Sequence, residues 1–218
     1  MEHPAHSGAN HIDSVIFDLD GTLWDTSHSC ALAWNNVVRR GNIGFREIVA
    51  EDVRRVTGKP HDMCVRETFR GLPEAQVQYL LRETMLEDNR IVATRGGVLY
   101  GGVAVGLRVL QEQYPLFLVS NCQSGYIEAF LEVNAFGRLF VDFECWGNTG
   151  RSKAHNLAAV ISRNRLMRPV LVGDAEGDLL AARACAIPFY FAEYGFGEVA
   201  ESDFSFSSFA RLVEQLSK

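Results

Sequence analysis

No apolar run in the sequence approaches the roughly 18 residues that a membrane-crossing helix needs. Positive charge is also scarce. Lysine and arginine number 21 against 27 aspartates and glutamates, a formal charge of −6, which argues against a nucleic-acid partner or an anionic membrane surface. Small anionic ligands stay open, because a metal ion and a few local cations decide those. Cysteine is sparse: five residues, at 30, 64, 122, 145 and 185, with no Cys-x-x-Cys pair. Scattered thiols in odd number exclude a disulfide scaffold and fit a reduced, cytoplasmic protein. The polar start, Met1–Asn10, has no apolar core of a secretory signal. With His3, His6 and His11 it reads as a flexible leader over 1–11 rather than a metal site. The glycines of 96–106 match neither Gly-x-Gly-x-x-Gly nor Gly-x4-Gly-Lys-Ser/Thr, so a linker is expected there and not a phosphate loop. Repeats and low-complexity tracts are absent.

What is present is enough chain, at 218 residues, to bury a sizeable core. From Thr26 to about Arg95 the pattern is helical, with no convincing strand. Ala31, Trp34 and Val38 suggest a helix after the Asp25-Thr26-Ser27 capping region. Phe45, Ile48, Val49, Val53 and Val56 fall at helical spacing. Another helix is expected from Pro73 through Val77, Leu80, Leu81 and Met85. Thr57–His61 reads as a turn between helices.

From Gly96 the character changes to alternation. Helix is expected over Val103–Gln113 and strand over Leu116–Ser120. Helices over Gly125–Asn134, Ser152–Arg163 and Gly177–Ala186 then alternate with strands over Leu139–Cys145, Val170–Gly173 and Ile187–Phe191. A final helix spans Phe206–Leu216. Apolar strands alternating with amphipathic helices predict an α/β fold: a doubly wound, Rossmann-like parallel sheet, with ligands at the carboxyl ends of its strands. The expected organisation is a discontinuous core (12–24 and 96–218) interrupted by a helical cap (25–95).

The stretch Ile12–Thr26 organises the rest. Ile12, Val15, Ile16 and Phe17 run into Asp18 and Asp20, with Gly21 and Thr22 behind. This reads as a buried strand ending at a turn. Two carboxylates so close are tolerable only if a metal neutralises them or one stays protonated. Both conditions suit phosphoryl transfer.

Phe17-Asp18-Leu19-Asp20-Gly21-Thr22-Leu23 resembles the first motif of the haloacid dehalogenase superfamily, in its phosphatase branch. Three further stretches extend the resemblance in order. Val119-Ser120-Asn121 offers a hydroxyl and a carboxamide for phosphoryl oxygens. Gly150–Leu157 supplies Lys153 near a helix start, a point charge that in this family offsets nucleophile and phosphate; Arg151 is the competing cation. Gly173-Asp174-Ala175-Glu176-Gly177-Asp178 follows an apolar strand and resembles the acidic motif. Tyr100-Gly101-Gly102-Val103 is similar to the Tyr-Pro-Gly-Val that follows the cap, with Gly101 in place of proline.

The resemblance implies a phosphatase of the phosphoglycolate phosphatase and β-phosphoglucomutase group. Asp18 would be the nucleophile, forming an aspartyl-phosphate, and Asp20 the proton carrier. Ser120, Asn121 and Lys153 would bind phosphate. Asp18, Asp20, Asp174 and Asp178 would hold Mg²⁺, which is satisfied by two or three carboxylates plus waters and a phosphate oxygen. The substrate would be a small phosphorylated metabolite. Dehalogenases lack the second aspartate, and phosphonate hydrolases carry alanine there, so Asp20 disfavours a Schiff-base role for Lys59. The rivals are a phosphomutase, an inorganic pyrophosphatase and a non-catalytic binding protein. The insert stands where this family places its lid, so Lys59 and His61 are candidates for substrate contact. Trp24 would line the pocket or pack beneath the cap, with packing preferred. Cys122 reads as a packing residue.

Overall fold

The structure is a computed structural model and describes residues 12–217; the leader histidines His3, His6 and His11 lie outside them. In chain order the elements are β1 (Ser14–Phe17), β2 (Trp24–Asp25), α1 (Ser27–Arg40), α2 (Ala50–Val56), α3 (His61–Thr68), α4 (Glu74–Arg95), β3 (Val98–Leu99) and α5 (Val103–Gln111). There follow β4 (Leu116–Ser120), α6 (Tyr126–Val133), β5 (Phe140–Cys145), α7 (Trp146–Thr149), α8 (Lys153–Asn164), β6 (Pro169–Gly173), α9 (Glu176–Ala184), β7 (Phe189–Ala192), β8 (Phe204–Phe206) and α10 (Phe209–Leu216).

Six strands form one sheet in the order β5-β4-β1-β6-β7-β8, and every pairing in it is parallel. β1 lies between β4 and β6 with all four of its residues buried. A strand covered on both faces must be apolar throughout, which is why Val15, Ile16 and Phe17 occur in a row. Each such side chain contributes about 1.5–3 kcal/mol relative to exposure. The two faces have separate cores. Val15, Phe17, Leu116 and Leu118 pack with Phe209 on one side, and Ile16, Phe117, Val119 and Leu171 with Leu157 and Leu179 on the other.

Three parts of the fold differ from the expectations. The spacing from Phe45 to Val56 predicts helix, yet α2 begins only at Ala50. The Asp52 carboxylate accepts from the Val49 backbone N–H and holds Arg46 in a two-pronged pair at 2.6 and 2.7 Å. That carboxylate starts the helix and leaves Phe45 in an irregular approach. Thr57–His61 does connect two helices, α2 and α3, but His61 is already the first residue of the second. Phe206, placed in the last helix by its apolar neighbours, belongs instead to β8, with Ser208 at the helix start.

The glycine-flanked segment near residue 98 is also more than a linker. β3 pairs antiparallel with β2, Trp24 opposite Leu99 and Asp25 opposite Val98. The two passages between the sheet and the four-helix insert are therefore tied to each other. Asp25 extends the tie, accepting from Ser27 N–H at the start of α1 and pairing with Arg54 of α2 at 2.7 Å.

Candidate active site

β1, β4 and β6 all end at one edge of the sheet, and their last residues or the next ones carry the polar groups. Asp18 follows β1, Ser120 ends β4, and Asp174 follows β6. One oxygen from each of Asp18, Asp174 and Asp178 lies within 4.8 Å of the others, all three residues being buried. The Lys153 ammonium, on the first turn of α8, pairs with both Asp18 and Asp178. Ser152 places that turn by capping α8, accepting from His155 N–H. Arg151, the competing cation, is exposed.

Close backbone approach makes this possible. Gly21 has φ +88°, and a Cβ there would collide with the Asp174 carboxylate. Only glycine satisfies both demands. Asp174 is fixed by Thr22 Oγ1 at 2.9 Å and by Phe196 N–H at 2.8 Å. Asp178 Oδ2 accepts from the backbone N–H groups of Asp174 and Ala175, 3.1 and 3.0 Å away. It therefore caps α9 and belongs to the acidic group at once.

The electrostatics are unbalanced. Burial, reinforced by Asp178 and Asp174 and opposed by Lys153, pushes Asp18 well above the usual carboxylate range. Burial and Asp178 push Asp174 the same way. Burial disfavours the Lys153 charge, but Asp178 and Asp18 overcome it and hold the amine protonated. Three carboxylates face one ammonium. A hard divalent cation bound by oxygen matches this donor set, and its charge would favour the ionised carboxylates.

Asp20 stands apart from that group. Its carboxyl turns to Thr26 Oγ1, at the start of the insert, and to Tyr126 OH of α6, which donate to Oδ1 at 2.9 and 3.0 Å. The expectation is Asp20 with Asp18, Asp174 and Asp178 around the metal; the group of carboxylate oxygens within 4.8 Å of one another comprises Asp18, Asp174 and Asp178. After Asp20 the chain turns back on itself, and the bridge from Asp20 to Trp24 closes that turn. Burial raises the Asp20 carboxyl to about 6, against the hydrogen bonds from Thr26 and Tyr126.

A cavity of about 70 Å³ lies between the sheet edge and the insert, lined by Asp18, Asp20 and Ser120 from below and by helical residues from above. Of the residues expected to meet substrate, Lys59 and His61 line it. The Lys59 amine, however, pairs with Glu67 at 2.6 Å. His61 is buried, with Nε2 3.0 Å from Thr84 Oγ1. Trp24 is fully buried and packs edge-on to Phe130 and Tyr126, at 4.8 and 5.8 Å between ring centroids; packing, the preferred alternative, is where it sits. Asn121 donates its amide to the Gly58 carbonyl, 2.8 Å away, so its N–H group turns to the insert and not to the acidic centre. Cys122, read as a packing residue, is buried and also lines the cavity.

Sequence reasoning did not single out Tyr126, Thr26 or Asp88. Thr26 and Tyr126 reach Asp20 from α1's cap and from α6. Asp88, only 3 % exposed, lies in the polar run Glu87-Asp88-Asn89-Arg90, which by composition reads as a solvated helix face. Only Thr22 had a signal, its place directly behind Asp20-Gly21.

Comparison with known proteins is consistent with this geometry. Residues 15–192 match the family model of haloacid dehalogenase-like hydrolases. The chain is similar to a phosphoglycolate phosphatase of Agrobacterium fabrum, 26% identical over 216 residues, covering 93% of this chain and 91% of that one. It is 28% identical over 220 residues to a phosphoglycolate phosphatase of Vibrio vulnificus, covering 93% and 95%. Its fold is similar to that of a haloacid dehalogenase-like protein from Streptococcus pneumoniae, with a TM-score of 0.83 at 19% identity over 95% of this chain and 99% of that one. A predicted phosphoglycolate phosphatase from Haemophilus somnus gives a TM-score of 0.82 at 20% identity, with the same coverage.

Proposed function

The chain belongs to the haloacid dehalogenase-like hydrolases, and from that premise we propose that it is a Mg²⁺-dependent phosphatase acting on a small phosphate monoester through an aspartyl-phosphate. The observation that carries this reading is the convergence of Asp18, Asp174 and Asp178 within 4.8 Å, with Lys153 paired to Asp18. The phosphatase names of relatives at 26% and 28% identity support it.

Asp18 attacks phosphorus in line and becomes the acyl phosphate. Lys153 holds the charge of nucleophile and phosphoryl oxygens together, and the Ser120 hydroxyl adds a donor at the end of β4. Asp20, with its carboxyl pushed up to about 6, protonates the leaving oxygen. It then takes a proton from the water that hydrolyses the intermediate. Tyr126 and Thr26 fix its orientation from the side. Asp18, Asp174 and Asp178 would hold the magnesium, which when bound supplies Lewis-acid stabilisation of the charge spreading over the phosphoryl oxygens. The helical insert acts as a cap that excludes water and contacts the rest of the substrate.

Asp18→Asn tests the assignment. The fold should persist by circular dichroism while hydrolysis of an aryl phosphate disappears; near-normal turnover would remove Asp18 as nucleophile.

A further inference from the structure

Beyond the acidic centre, the insert side of the cavity is lined by Trp34, His61 and Asp88, with Asn121 on the sheet side. Asp88 is 3 % exposed. Its Oδ2 accepts from the Trp34 indole N–H at 3.0 Å, while Oδ1 has no hydrogen-bond partner. The Cys30 thiol lies close by, but a thiol is a weak donor. A buried carboxyl oxygen without a partner is costly unless a ligand supplies one.

Two further lining residues carry acceptor atoms. The Asn121 amide nitrogen must face Gly58, since a carbonyl can only accept. That leaves Asn121 Oδ1, which is also buried without a partner. Thr84 donates its hydroxyl to Leu80 O at 2.6 Å, so at the 3.0 Å contact with His61 it accepts, and Nε2 carries the proton. The remaining ring nitrogen, Nδ1, is then an acceptor, 3.8 Å from Asp88 Oδ2. The only lysine among the lining residues, Lys59, is held by Glu67, and no arginine lines the cavity among the described residues. Burial pushes Asp88 well above the carboxylate range, and Asp20 adds to that. A donor arriving at Oδ1 would favour its ionised form.

We propose that this end of the cavity recognises a leaving group bearing a hydrogen-bond donor, a hydroxyl or an ammonium, and rejects one that ends in a carboxylate. The proposal rests on the phosphatase reading above and names the substrate class for it: a compact amino-alcohol or polyol phosphate. A cavity of about 70 Å³, against a water's share of about 30 Å³, favours a small ester. A carboxylate placed there would meet two acceptors, Asn121 Oδ1 and His61 Nδ1, and no unpaired cation. The single proton of Asp88 is the one donor that carboxyl could offer it.

Three two-carbon esters of similar size test this: O-phosphoethanolamine, 2-hydroxyethyl phosphate and 2-phosphoglycolate, each assayed for kcat/KM with Mg²⁺. At least one donor-bearing ester should exceed phosphoglycolate tenfold or more. Preference for the amine identifies an amino-alcohol substrate, and preference for the hydroxyl a polyol; either upholds the proposal. In Asp88→Asn the amide oxygen can serve Trp34 and the NH₂ then faces the cavity, so the ratio should fall at least tenfold toward phosphoglycolate. The proposal is overturned if wild type prefers phosphoglycolate or treats all three alike, or if folded Asp88→Asn keeps the wild-type ratio. Should that variant not fold, the wild-type series decides alone. An aryl phosphate is assayed alongside. Its hydrolysis without turnover of the donor esters overturns the subsite alone, and its inertness overturns the phosphatase reading with it.

Discussion

Asn121, one residue past the end of β4, reaches across the cavity to the Gly58 carbonyl of the insert at 2.8 Å. Gly58 has φ +93° and lies against Ala175, beside the acidic centre. One side-chain amide thus joins the floor of the site to its roof, at a glycine that alone suits that backbone.

Cutting that link should favour the open cavity. Asn121→Ala removes the hydrogen bond to Gly58, a loss of about 1 kcal/mol, together with the Oδ1 acceptor assigned above to the substrate. The KM for a small ester is expected to rise about fivefold, with kcat changed much less. Steady-state kinetics read both, and an unchanged KM would show that the link does not govern closure.

Metal should act on stability as well as on turnover. Asp18, Asp174 and Asp178 repel one another in the folded chain, and a cation that binds only the folded state stabilises it by mass action. EDTA should silence the enzyme and Mg²⁺ restore it. In a thermal melt without substrate, Mg²⁺ at a hundred times its Kd should add about 2.7 kcal/mol. A melting curve indifferent to Mg²⁺ would remove the metal from the account.

Among the described residues Lys153 is the single buried counter-charge to two buried carboxylates. Removing one partner of such a group costs about 3–5 kcal/mol, because the others are left uncompensated. Lys153→Met should therefore lower metal-free stability by about 3 kcal/mol or more in denaturant titrations. Mg²⁺ should recover part of the loss. A variant as stable as wild type would mean that the carboxyls simply protonate at no cost.

Burial lowers His61 from 6.5 to about 4, with Asp62 and Asp88 the acidic groups facing it. Between those values the unfolded chain binds the additional proton, so the His61 contribution is complete above about pH 6.5 and is lost as pH falls toward 4. The difference corresponds to about 3 kcal/mol. Comparing wild type with His61→Asn isolates it from other titrating groups. The stability gap between the two should shrink by that amount from neutral pH to pH 4, and a gap independent of pH would refute the assignment.

The local pattern of the sequence determined the sheet and the places where chemistry could stand. An apolar run ending in Asp18 is a buried strand with a carboxylate at its tip, and the same logic located Ser120 and Asp174; Lys153 came from the resemblance of its stretch to a family motif. These are statements about a backbone and its nearest neighbours, which periodicity and turn residues report directly. The two-residue strands at Trp24 and Val98 escaped because nothing so short has a period. Direction escaped as well: Asp18 and Asp20 are two residues apart, yet one carboxyl joins the acidic centre and the other meets Thr26 and Tyr126. Asp88 is the clearest case, a charged residue in a polar run, buried only because α4 packs against α1 and carries it to Trp34. The chain alone set which groups were available. Packing across tens of residues decided which of them met, since burial and partner choice depend on neighbours that no local window contains.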